Sequence, residues 1–96
     1  MGSLQESVHF QTKGDSFYHQ GMNKRALVYY NRAMKLNPKD VSAIFNKSLL
    51  LNVMGKRKEA VECIQRAISL VSNSSRAYYN KGTFLWGMGR NEEALD

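Results

Sequence analysis

Cysteine and proline each occur once in ninety-six residues, as Cys63 and Pro38. A lone cysteine excludes an internal disulfide and a cysteine-based zinc site. It fits a reducing compartment, so the cytoplasm is the expected location. So little proline, in a chain rich in helix formers, argues against a sandwich or barrel. Long apolar runs are missing too. None reaches the length that spans a membrane, and the start lacks the charged-then-apolar layout of a signal peptide. Met1-Gly2-Ser3 falls short of a myristoylation signal, because Glu6 stands where serine or threonine is needed. Catalytic groups are sparse as well. His9 and His19 lie ten residues apart and do not share a helix face, and no cysteine or carboxylate cluster joins them. No enzymatic activity, metal or cofactor is expected.

Length allows one compact domain or a short solenoid, with a core that is marginal unless the chain associates. The formal charge of +6 could serve acidic peptides, nucleic acid or anionic lipid. Its carriers are spread along the chain, however. The densest run, "GKRKEA" at 55–60, reads as an exposed turn and helix start. No basic strand with interleaved aromatics is visible, which argues against nucleic acid as a partner.

Glycine is where the pattern lies. The stretch "YYNKGTFLWGMGRNEEALD" at 78–96 has three glycines within eight residues, but its lysine precedes the first of them, and no strand leads in. A phosphate-binding loop needs the reverse order. Sliding the chain against itself by 34 residues explains the glycines instead: Gly82 falls on Ser48 and Gly14, and Gly89 on Gly55 and Gly21. Ala94 falls on Ala60 and Ala26, and Lys81 on Lys47 and Lys13. The chain is a repeat.

Each repeat reads as two amphipathic helices. The first carries Val8, Phe10, Phe17 and Tyr18 at helical spacing until Gly21 stops it. The second runs from about Lys24 to Leu36, with Ala26, Leu27, Tyr30, Ala33 and Met34 on one face. Pro38 ends it, and Asp40 is placed as the next N-cap. A third helix over 41–54 breaks at Gly55, and a fourth follows over 57–71. "SNSS" at 72–75 is a linker, a fifth helix runs to Met88 with Gly89 as its stop, and a sixth begins at Asn91. Gly14, Ser48 and Gly82 are expected at close crossings with Ala26, Ala60 and Ala94, where any larger side chain would hold two backbones apart. In a helix, each glycine costs up to about 1 kcal/mol relative to alanine, so the crossing has to outweigh that.

These residues resemble the tetratricopeptide repeat (TPR) family. Phe10-x-x-Lys13-Gly14-x-x-Phe17, then Ala26, Tyr30, Ala33 and Pro38, match the columns of one repeat. Ile44, Ser48, Leu51, Ala60, Ile64 and Ala67 match a second, with Ser72 in place of the proline; Tyr78, Gly82, Leu85 and Ala94 begin a third. The resemblance covers Ser7 to Asp96. It implies an all-α fold, a right-handed α-solenoid of antiparallel helix pairs with about two and a half repeats. Residues 1–6 form an extension or cloning remnant, 7–40 and 41–74 two repeats, and 75–96 a truncated third. Lysine stands before the small residue in all three, where leucine is usual, so Lys13, Lys47 and Lys81 are expected as a stripe with packed stems.

The resemblance also implies a concave groove lined by the first helix of each repeat, where another protein's peptide or helix lies. The groove candidates are Gln11, Asp15 and Tyr18; Ser42, Phe45, Asn46, Leu49 and Asn52; and Arg76, Tyr79, Asn80, Thr83 and Trp86. Aromatic and arginine anchors suit peptide recognition. The carboxylate clamp of some TPR co-chaperones is not preserved. Its columns read Gln11, Asp15, Asn46, Arg76 and Asn80, which lack two cations and add an anion where the ligand's carboxylate would sit. The expected function is a non-enzymatic scaffold or adaptor. The alternative is self-assembly, with repeats pairing end to end or swapping helices. The third repeat lacks most of its second helix, so Tyr78 and Leu85 are expected to face water, which favours a homodimer or a place in a longer array.

Overall fold

The computed structural model describes the backbone of residues 2–95 and the side chains of residues 5–89. Five helices follow one another: α1 (Gly2–His19), α2 (Asn23–Leu36), α3 (Val41–Val53), α4 (Arg57–Leu70) and α5 (Ser75–Leu95). No strand occurs among the described residues. The chain is an all-α solenoid in which α2 packs on α1, α4 on α3, and each pair on the next. The elongated outline, 51 × 31 × 17 Å, follows from stacking pairs in a row.

Local chemistry sets the joints. Gly21 and Gly55 adopt φ of 77° and 81°. After each, the next backbone N–H reaches back to a carbonyl of the preceding turn, Met22 to Phe17 at 2.8 Å and Lys56 to Leu51 at 2.8 Å. The glycine N–H groups bond Tyr18 and Asn52 at 3.0 Å, which completes a Schellman end in both cases. A side chain in that left-handed region costs about 1–2 kcal/mol. Between the first two repeats the stop is Pro38, and at both joints the start is a cap. The Asp40 carboxylate accepts from the N–H of Ser42 (3.0 Å) and Ala43 (3.4 Å), and Ser74, 34 residues on, accepts from Ala77 (3.2 Å). Asp40 also accepts the Gln11 side-chain amide at 2.7 Å, tying α1 to the start of α3. Asp40→Ala is expected to cost about 1–2 kcal/mol by urea denaturation, cap and latch together. An unchanged midpoint would show that neither bond carries weight.

The core divides along the same lines. Ala26, Tyr30 and Leu50 are buried together, flanked by Phe17 and Tyr18. A larger cluster joins α3, α4 and α5 through Ile44, Phe45, Leu51, Ile64, Ile68, Ala77 and Phe84. Ala26 and Ala60 are fully buried.

Three expectations about the small residues need correction. The atom that fills the space at Gly14 belongs to Tyr30, one turn beyond Ala26: a Cβ there would lie 2.5 Å from the ring. Gly82 is exposed, and a Cβ there would meet nothing within 4 Å. Gly89 is not a stop, for α5 runs unbroken through it to Leu95. One cause covers the last two. The residues after Gly89 amount to less than two turns, too few to nucleate a separate helix, whereas extending α5 adds a hydrogen bond per residue. No second helix then crosses α5 at Gly82. The side chain of Ala94 lies outside the described residues.

Candidate functional site

The register of 34 residues stacks α1, α3 and α5 as the first helices of successive repeats, and the groove candidates lie on them. The first repeat commits its candidates to the fold. Gln11 donates to Asp40, the Asp15 carboxylate accepts from the Tyr30 hydroxyl, and Tyr18 packs beside Ala26, Tyr30 and Leu50. Burial, then the hydrogen bond to Asp15 and its charge, push the Tyr30 phenol well above its usual range.

The second repeat is partly withdrawn as well. Phe45 is only 6 % exposed and belongs to the core, while Leu49 packs against the same cluster. Ser42 is exposed, and Asn46 and Asn52 are half-buried. The Oδ1 of Asn52 has no donor within the protein.

The third repeat holds the open part. The Arg76 guanidinium lies 4.6 Å from the centroid of the Phe45 ring, so a cation from α5 is seated on an aromatic of α3. Tyr79 and Trp86 are 75 % and 63 % exposed. Thr83 is exposed and its hydroxyl donates to the Tyr79 carbonyl at 3.0 Å, whereas Asn80 is turned inward. The thirteen candidates therefore divide: Arg76, Tyr79, Thr83 and Trp86 are accessible with Ser42, and the rest are half-buried or buried. The stretches 41–53 and 75–89 contain no carboxylate, which leaves these parts of α3 and α5 positive or neutral.

Elsewhere the chemistry is structural. The Lys13 ammonium lies 5.7 Å from the Tyr29 ring and Lys81 donates to Gln65 at 2.6 Å, so both reach toward the second-helix layer. Burial raises the pKa of the Cys63 thiol against the lowering effect of Lys47 and Arg66, which suppresses its thiolate and its reactivity. Among the described residues no three of His, Cys, Asp and Glu come together as a metal site, and no helix is long and apolar enough to cross a membrane.

Sequence reasoning missed the Gln11–Asp40 latch and the Asp15–Tyr30 bond. One ties α1 to the cap of α3 and the other α1 to α2, and a periodicity of 34 carries no sign of either.

Comparison with known proteins agrees with this architecture. The model of the tetratricopeptide repeat matches residues 10–40, 41–72 and 75–96. An uncharacterized protein of Methanocaldococcus jannaschii is 33% identical over 54 residues, which is 56% of this chain and 63% of that protein. Among solved structures, MamA superposes with a TM-score of 0.84 at 24% identity, over 94% of this chain and 53% of MamA. The first TPR of Spaghetti (RPAP3), bound to the HSP90 peptide SRMEEVD, gives 0.85 at 22%, over 95% of this chain and 72% of that one. The Arabidopsis OM64 TPR domain gives 0.85 at 22%, over 96% and 76%. The chain thus spans about half of MamA and under two thirds of the archaeal relative. With three successive repeats matched and the helix pairs in place, the chain belongs to the tetratricopeptide repeat family.

Proposed function

We propose that this chain is a non-enzymatic interaction scaffold that holds a peptide or helix of a partner protein in its concave face, between the second and third repeats. The observation that carries this reading is Arg76 seated on Phe45. Core packing fixes the ring, so the guanidinium is held in place before a ligand arrives, and less freedom is lost on binding. Tyr79 and Trp86 supply amphipathic contact area beside it.

The Spaghetti domain is seen with an acidic peptide. In this chain the clamp columns hold Gln11 and Asp15, both engaged within the fold, and an inward Asn80. The ligand that suits it therefore has one carboxylate for Arg76 and an apolar or aromatic side chain for Tyr79 and Trp86. Peptides selected from a random display library against the chain should bind the Arg76→Glu variant at least tenfold more weakly, through charge reversal. Undiminished binding to Arg76→Glu would reject the groove.

A second reading, self-assembly through the end face, is favoured by a different observation: Tyr78 and Leu85 are 52 % and 46 % exposed on α5.

A further inference from the structure

Helix α5 is apolar on two opposite sides. Ala77 and Phe84 face inward and are fully buried. At 100° per residue, the side diametrically opposite is centred on Gly82, with Tyr78, Tyr79, Leu85 and Trp86 around it, each between 46 % and 75 % exposed. A contiguous apolar side left open to solvent marks a surface that a partner covers. Among the described residues the stripe carries no charge. Lys81 is turned toward Gln65, and Arg76 lies on Phe45.

The stripe is also self-complementary about its glycine. Tyr78 stands four residues before Gly82 and Trp86 four after; Tyr79 stands three before and Leu85 three after. Two such helices laid antiparallel, with a two-fold axis beside Gly82, bring each Tyr78 to the level of the other copy's Trp86 and each Tyr79 to the level of its Leu85, so that aromatic rings and leucines interleave. Gly82 suits the crossing point, since beyond its own turn of helix no described atom lies within 4 Å of where a Cβ would be. That absence lets two helices approach at the short end of the ~8–10 Å range. Three aromatics and a leucine at these exposures present about 500 Å² per copy, or about 1,000 Å² in all, which is the lower limit for a specific interface.

We infer that the occupant of this face is a second copy of the chain, with paired α5 helices crossing at Gly82. The inference rests on the self-assembly reading and is independent of the groove. It also links the two, because Tyr79 and Trp86 serve both surfaces. Dimerisation covers the third-repeat end of the groove, and a bound peptide displaces the second copy.

The test is sedimentation velocity on the full chain from 1 to 500 μM, as an order-of-magnitude range for an interface at the size limit. A reversible dimer is expected. Gly82→Lys sets two ammonium groups at the axis and should weaken the dimer at least tenfold, with unchanged helicity by circular dichroism. In a Cys63→Ala background, Gly82→Cys should cross-link to a covalent dimer with oxidised glutathione faster than Tyr79→Cys, which lies off the axis. Arg76→Glu should leave the dimer intact, which separates this proposal from the groove reading. A monomer at every concentration overturns the proposal. A dimer indifferent to Gly82→Lys, with no preference for the position-82 cross-link, overturns the axis.

Discussion

Gly14→Leu is expected to unfold the first repeat. A Cβ at this position would lie 2.5 and 2.6 Å from two ring carbons of Tyr30. That ring cannot move aside cheaply, being 1 % exposed among Ala26 and Leu50, with its hydroxyl donating to Asp15. Alanine here sets up to about 1 kcal/mol of helix propensity against an overpacking cost of about 1–3 kcal/mol. Leucine adds three carbons to the same collision, so a loss above ~3 kcal/mol follows, much of the ~5–15 kcal/mol a small protein possesses. The internal control is Gly82→Ala, in the same column of the repeat. With open space around it, the monomer should gain up to about 1 kcal/mol. Urea denaturation at low protein concentration should give opposite signs for Gly14→Ala and Gly82→Ala; equal signs would contradict the packing described for Tyr30.

The same phenol sets an alkaline limit. Its folded pKa is raised above the ordinary 10.0, so the neutral form is the one the fold favours. The stabilisation is complete below pH ~10 and is lost progressively as pH rises above it. Tyr30→Phe removes the titration along with the Asp15 bond. The variant should be less stable at neutral pH, and its stability should fall less steeply above pH ~10. Parallel pH profiles for the two proteins would rule Tyr30 out as the source.

Phe84→Ala is the second large effect. Phe84 is fully buried where α5 meets the α3–α4 pair, and truncating a buried phenylalanine costs about 3–5 kcal/mol. Because stability in a stacked array is close to a sum of unit and neighbour terms, the loss should fall on α5 first. Amide exchange over 75–89 should accelerate while α1 and α2 remain protected. Uniform acceleration along the chain would mean that the helices unfold as one unit rather than from the end.

Much of this architecture was legible because its punctuation is local. Gly21, Gly55, Pro38 and Asp40 each act within a turn of their own position, and the helix bounds drawn from them agree to within one or two residues with α2, α3 and α4. Gly89 has the same letter as Gly21 and Gly55 but not their surroundings. Those two are followed by fourteen-residue helices that pack back and reward the turn. Phe45 was read as a groove anchor from its column, yet the column fixes only direction. Depth depends on the neighbouring helices, and α4 and α5 close over it. Asp15 likewise keeps its column while bonding Tyr30, a partner fifteen residues away.

The latch between Gln11 and Asp40 has a mechanical meaning. It spans the first joint of the stack, and the corresponding columns at the second joint hold Phe45 and Ser74, where Arg76 rests on the aromatic ring instead. The two joints are thus pinned by different chemistry, an amide–carboxylate bond at the first and a cation on a core-held ring at the second. Opening the first joint has to break a hydrogen bond between side chains, whereas opening the second has to lift Arg76 off the Phe45 ring.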